Sequence, residues 1–121
     1  MARVLIVEDE WLQAENIEAL LALRGHSVCG SATTGEEAIV LAKAQRPDIV
    51  MMDIQLPGRL DGIIAAAEIQ AACSCSLVFV TAYDDTRMVE RMRCLKPAAV
   101  FHKPVNEAML LDAVDRIACK V

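Results

Sequence analysis

Aromatic residues are scarce: they make up 3% of the 121-residue chain, against 55% for hydrophobic residues overall. The core must therefore be built from Ala, Leu, Ile and Val, and this length fits one domain, residues 1–121, with an ordinary core. Long apolar runs are missing too. The longest fall far short of the roughly 20 residues that cross a bilayer. Met1-Ala2-Arg3 leads into a strand that reaches Glu8 too soon for a signal-peptide core. Both absences point to a cytoplasmic protein with no membrane partner. Clustered cations are lacking as well, because the 12 Lys and Arg are scattered and the formal charge is −5. Sequence-independent nucleic-acid binding relies on such clusters to displace counterions, so no direct nucleic-acid contact is expected. The five cysteines (Cys29, Cys73, Cys75, Cys94, Cys119) lack metal-ligand spacing, and only two distant histidines accompany them. That pattern argues against a zinc site and for reduced thiols acting as small hydrophobes.

What the chain does have is a rhythm. Short apolar runs recur as VLIV (4–7), SVCG (27–30), DIVMM (48–52), LVFV (77–80) and AAVF (98–101). Helical periodicity fills the gaps. Ile17, Leu20, Leu21 and Arg24 fall at i, i+3, i+4 and i+7, and Gly25 stops that helix as a left-handed cap. Thr33 and Thr34 ahead of Glu36 and Glu37 form a capping-box pattern, and the helix they open ends before Pro47. Residues 62–72 are rich in Ala and Ile. Asp84 or Asp85 can cap a helix running to about Cys94, and Asn106 can cap a last helix lined by Leu110, Leu111, Val114 and Ile117. The pattern predicts an α/β, doubly wound (βα)₅ domain, with parallel strands because each crossover is helical.

Polar residues stand at the ends of these strands. The first run ends in Glu8-Asp9-Glu10, the third in Asp53, the fourth in Thr81 and the fifth in Lys103-Pro104. In an open α/β sheet these carboxyl ends share one edge, where ligands bind at the topological switch point. Taken singly, each has an ordinary explanation: an acidic pair caps helices, Thr is common in strands, and most lysines are solvated. Together they are chemically complementary. Clustered carboxylates repel unless a cation joins them, and hard oxygen donors with open positions suit Mg²⁺. With a lysine and a hydroxyl alongside, an aspartate can act as nucleophile toward a phosphoryl group. Asp53, which ends the apolar run IVMM, is the expected acceptor.

The elements VLIVEDE, MMDIQLPG-R-LDG, FVTAY and FHKP, in this order and spacing, resemble the receiver domain of bacterial two-component response regulators. The resemblance covers essentially the whole chain and implies a flavodoxin-like sheet of order 2-1-3-4-5. It implies that Glu8 and Asp9 hold Mg²⁺, with Asp9 the more direct ligand, and that Asp53 and the backbone carbonyl of Gln55 complete the set. Asp53 is implied as the phosphoacceptor, Thr81 and Lys103 as partners of phosphoryl oxygens, and Ala82 as the small residue that lets the phosphoryl group in. The Lys103-Pro104 bond is implied to be cis. The implied donor is a histidine kinase or phosphotransfer protein, and the implied recipient a downstream protein partner or an output domain.

The chain also departs from the family pattern. Receivers usually carry Tyr or Phe three residues before the lysine, where this chain has Val100; Phe101 follows it, and strand alternation should point Phe101 to the opposite side. Phe79-x-Thr81-Ala82-Tyr83 resembles the signature of the FAT GUY single-domain receivers, with Ala82 in place of the usual Gly. That likeness makes Tyr83 the candidate switch aromatic; the plainer reading is a half-exposed loop residue. PGRLDG is one residue longer than the common loop, and Gln55 occupies a variable position. The acidic charge and FVTAY favour a stand-alone receiver over one excised from a longer regulator.

Two other function classes compete with this reading. A Mg²⁺-dependent hydrolase working through an aspartyl phosphate needs a general acid two residues past its nucleophile, where Gln55 stands. A flavin or nucleotide binder needs a Gly-rich phosphate loop after the first strand, where Glu8-Asp9-Glu10 would repel a phosphate without metal.

Overall fold

A computed structural model describes residues 1–57, 61–82 and 86–120. The strands are β1 (Arg3–Val7), β2 (Ser27–Ala32), β3 (Ile49–Met52), β4 (Ser76–Thr81) and β5 (Ala99–His102). The helices are α1 (Trp11–Leu23), α2 (Gly35–Gln45), α3 (Gly62–Ala72), α4 (Thr86–Cys94) and α5 (Glu107–Ala118). All strand pairs are parallel, and the order is β2-β1-β3-β4-β5. This is the flavodoxin-like sheet. The chain leaves β1 toward one edge and resumes at β3 on its other side, so the switch point lies between β1 and β3.

Alternation within the strands divides the core into two layers. Leu5, Val7, Val50, Met52, Leu77 and Phe79 pack under α2 and α3, and Met92 of α4 joins them. Val4, Ile6, Ile49, Met51, Val78 and Val80 face α1 and α5. Every residue of β3 is buried, which is why its apolar run is continuous rather than alternating. On the edge strand β5, Val100 is exposed while Phe101 packs with the α1/α5 layer, so the two side chains do point apart.

Helix ends follow local chemistry. Gly25 adopts φ +83°, and its N–H bonds Ala22 O to close α1. Thr34 Oγ1 accepts the Glu37 N–H at 3.1 Å, but Glu37 Oε1 reaches back to the Thr33 N–H rather than that of Thr34. Asp61 and Asn106 cap α3 and α5 through the N–H groups of Ile64 and Met109. The cap expected for α4 at Asp84 or Asp85 lies outside the described residues, as does the inserted part of the PGRLDG loop. Three of the scattered cations, Arg87, Arg91 and Arg93, gather on α4.

Candidate functional site

The sheet ladder runs one residue past several strands and fixes the backbone of the polar residues there. Glu8 N–H donates to Ala32 O at 2.9 Å, Asp53 N–H to Val7 O at 3.0 Å, and Lys103 N–H to Thr81 O at 2.8 Å. Because the strands are parallel and nearly in register, Glu8, Asp53, Thr81 and Lys103 lie on one edge.

Their side chains converge. Asp53 is 5% exposed and Glu8 4%, and Lys103 Nζ donates to both, at 2.9 Å to Asp53 Oδ2 and 3.2 Å to Glu8 Oε2. The other oxygens are held by backbone: Asp53 Oδ1 accepts the Gln55 N–H at 3.0 Å, and Glu8 Oε1 the Glu10 N–H at 3.3 Å. One oxygen each from Glu8, Asp9 and Asp53 lies within 4.8 Å of the others, with Asp9 exposed. Thr81 is fully buried at the tip of β4, and Ala82 beside it is exposed. Glu10 stands apart from the group, its carboxylate on Gln13 Nε2 at 3.3 Å. The Lys103-Pro104 peptide is cis. Tyr83 lies outside the described residues.

The electrostatics are unbalanced. Burial, and then the negative charge of Asp53, push Glu8 from 4.5 up to about 7, although Lys103 and the Glu10 N–H pull the other way. Burial disfavours the Lys103 ammonium, but its bonds to Asp53 and Glu8 outweigh that and raise its pKa. One ammonium thus serves two buried carboxylates with a third beside them, and the cluster has room for more positive charge. Hard oxygen donors with open positions fit Mg²⁺ rather than a softer metal, so the residues present suit the ion that the resemblance implies.

One residue that shapes the site had no role in the sequence reading. A Cβ on Gly62 would lie 2.5 Å from Asp53 O and 2.6 Å from Ile54 Cα, so the start of α3 abuts the backbone of Asp53 with no room for a side chain. Gly62 N–H also donates to Ile54 O at 3.0 Å.

The model of the response regulator receiver domain family matches residues 4–115. The chain belongs to that family. It is 38% identical over 113 residues to the transcriptional regulatory protein PdtaR of Mycobacterium tuberculosis, covering 93% of this chain and 55% of PdtaR. It is 31% identical over 120 residues to PilH of Pseudomonas aeruginosa, covering 97% of this chain and 98% of PilH. The receiver thus spans about half the length of one curated relative and nearly all of another. Among solved structures, the signal receiver domain of a modulated diguanylate cyclase from Desulfovibrio desulfuricans G20 superposes with a TM-score of 0.91 at 35% identity, covering 99% of this chain and 95% of that one. Among the described residues, no helix is long and apolar enough to cross a membrane.

Proposed function

We propose that this receiver accepts a phosphoryl group on Asp53 from a histidine kinase or phosphotransfer protein, with Mg²⁺ as cofactor, and then controls a protein partner or output domain. One observation carries the reading: the buried Asp53 carboxylate shares the Lys103 ammonium with Glu8, and Asp9 adds a third carboxylate within 4.8 Å. In this reading Glu8, Asp9, Asp53 and the Gln55 carbonyl hold the ion. When bound, Mg²⁺ supplies charge that neutralises phosphoryl oxygens and draws them toward the carboxylates.

An Asp53 carboxylate oxygen forms the new P–O bond as the donor's P–N bond breaks. The Gln55 N–H keeps the Asp53 carboxylate in one orientation. Lys103 turns from the carboxylates to a phosphoryl oxygen, and the Thr81 hydroxyl donates to another, while Ala82 leaves the approach open. These contacts exist only with the phosphoryl group in place, so they bias the β4–α4 segment toward a second arrangement. The chain is therefore a phosphoacceptor that assists its own phosphorylation and dephosphorylation, not an enzyme acting on a separate substrate. Gln55, which cannot serve as a general acid, weighs against the phosphate-ester hydrolase.

The length of PilH is in keeping with a stand-alone receiver, and that of PdtaR with a receiver unit, residues 1–121, within a longer regulator. Incubation with acetyl phosphate and Mg²⁺ followed by intact-mass measurement tests the proposal. Wild type gains the mass of one phosphoryl group, and both Asp53→Asn and chelation of Mg²⁺ abolish the gain. An equal gain in Asp53→Asn would remove Asp53 from the role.

A further inference from the structure

Helix α4 is loosely held for an element joined so closely to the site. Residues 82–85 separate it from Thr81, yet Met92 is its only fully buried side chain among the described residues. Met88 and Val89 are half-buried against the α2/α3 layer. Polar contacts to α3 therefore matter, and they occur at both ends of α3, made from the last turn of α4 and the residue after it. At the far end Gln70 Nε2 donates to Leu95 O at 2.7 Å. At the near end an Arg91 guanidinium nitrogen (NH2) lies 2.9 Å from Asp61 Oδ2, with the two side chains 40% and 33% exposed.

Asp61 is no ordinary surface carboxylate. Its Oδ1 caps α3 through the Ile64 N–H at 2.8 Å, and the next residue is Gly62, whose backbone abuts Asp53 O and Ile54 Cα. Arg91 thus grips the segment that backs the phosphoacceptor, and it does so from the helix that follows Thr81. A displacement of α4 away from α3 has to part the pair first.

We propose that the Asp61–Arg91 ion pair is a brake on switching: it ties α4 to the phosphoacceptor loop in the unphosphorylated arrangement and is released when Asp53 is modified. This rests on the function proposed above. A contact present in one state and absent in the other disfavours the second by its own free energy, and by reciprocity it also opposes the modification that brings that state about. Pairs exposed to this extent contribute modestly, and because the donor reacts with the second arrangement, whose population rises when the brake is removed, modification should speed up about two- to fivefold.

Asp61→Asn keeps an oxygen for the α3 cap while removing the charge, and Arg91→Gln removes the other partner. Hydrogen exchange of residues 86–94, measured without any phosphodonor, should quicken in each variant and no further in the double variant. Arg91→Lys should restore most of the protection. In acetyl phosphate with Mg²⁺, both single variants should label about two- to fivefold faster than wild type, again without additivity. Additive exchange effects, or labelling rates equal to or below wild type, overturn the brake. If wild type itself never gains phosphoryl mass, the phosphoacceptor reading falls and the claimed control falls with it. If wild type labels and the variants match it, the brake alone is lost.

Discussion

The two edges of the sheet handle charge in opposite ways. At the amino edge a compact group of charges is mutually paired. Arg24 pairs with Asp112 and Asp115, and the buried His26 sits between Asp115 and the main chain. His26 Nδ1 accepts the Ala2 N–H at 3.1 Å, so the proton of the neutral ring lies on Nε2, which faces Asp115 Oδ1 at 2.7 Å. The His26 hydrogen bond, followed by Arg24, holds Asp115 below the usual carboxylate range. At the carboxyl edge, buried carboxylates compete for one lysine, and Glu8 is driven up to about 7. One edge is a structural fastening of β1, β2 and α5. The other is short of positive charge, and such an uncompensated buried cluster is a common mark of a functional site.

The contrast breaks most visibly at Gly62. In Gly62→Ala the new methyl must displace the Asp53 backbone, at a cost of about 2–3 kcal/mol by analogy with overpacked cores. Thermal unfolding should record that loss, with acetyl phosphate labelling at least about tenfold slower because small misplacements of a reacting group are costly. A melting temperature within error of wild type would show that the loop yields freely.

Proton linkage sharpens the comparison, since the edges respond to pH with opposite sign. Glu8 has a folded-state pKa of about 7, above its ordinary 4.5, so the folded protein holds that proton more tightly. The stability it contributes is full below pH 4.5 and is lost as pH rises through about 7. Without metal, wild type should lose on the order of 3 kcal/mol across this window through Glu8, and Glu8→Gln should flatten the dependence. Added Mg²⁺ should restore more stability at pH 8 than at pH 5, because the proton on Glu8 competes with the metal at low pH. Asp115 behaves conversely: its pKa is depressed, so its contribution is present above the ordinary 3.8 and lost as pH falls below it. Urea unfolding at stepped pH reads both; an unchanged slope in Glu8→Gln would contradict the assignment.

The smallest effect is expected at the amino edge. Asp115→Asn removes a half-exposed ion partner and should cost under about 1 kcal/mol, with labelling of the site unchanged. A labelling defect there would mean that the two edges are coupled.

The contrast also marks what the sequence could disclose. The strand runs and the capping residues Thr34 and Asn106 are local signals, and the three central strands, covered on both faces, leave continuous apolar runs rather than alternation. Glu8, Asp53, Thr81 and Lys103 were legible because each terminates such a run and parallel pairing sends all the ends to one edge. Gly62 was visible as a letter in PGRLDG, but the reason for it, a methyl's worth of missing space against Asp53, is a distance. His26 and Arg91 were illegible for a similar reason. Their partners, Ala2 and Asp115 for the one and Asp61 for the other, are remote in sequence, and no spacing rule links a lone histidine or arginine to them. The exposed Trp11 and Leu12 defeat the amphipathic pattern of α1, so its solvent-facing apolar surface also had no periodic signal.

The position that receives the phosphoryl group is the decisive observable. Wild-type protein treated with acetyl phosphate and Mg²⁺, trapped by borohydride reduction of the acyl phosphate and mapped by peptide mass spectrometry, should carry the reduced side chain at position 53 alone. A modification centred on Glu8, Asp9 or any residue away from this edge, or none at all with intact folded protein, would contradict it.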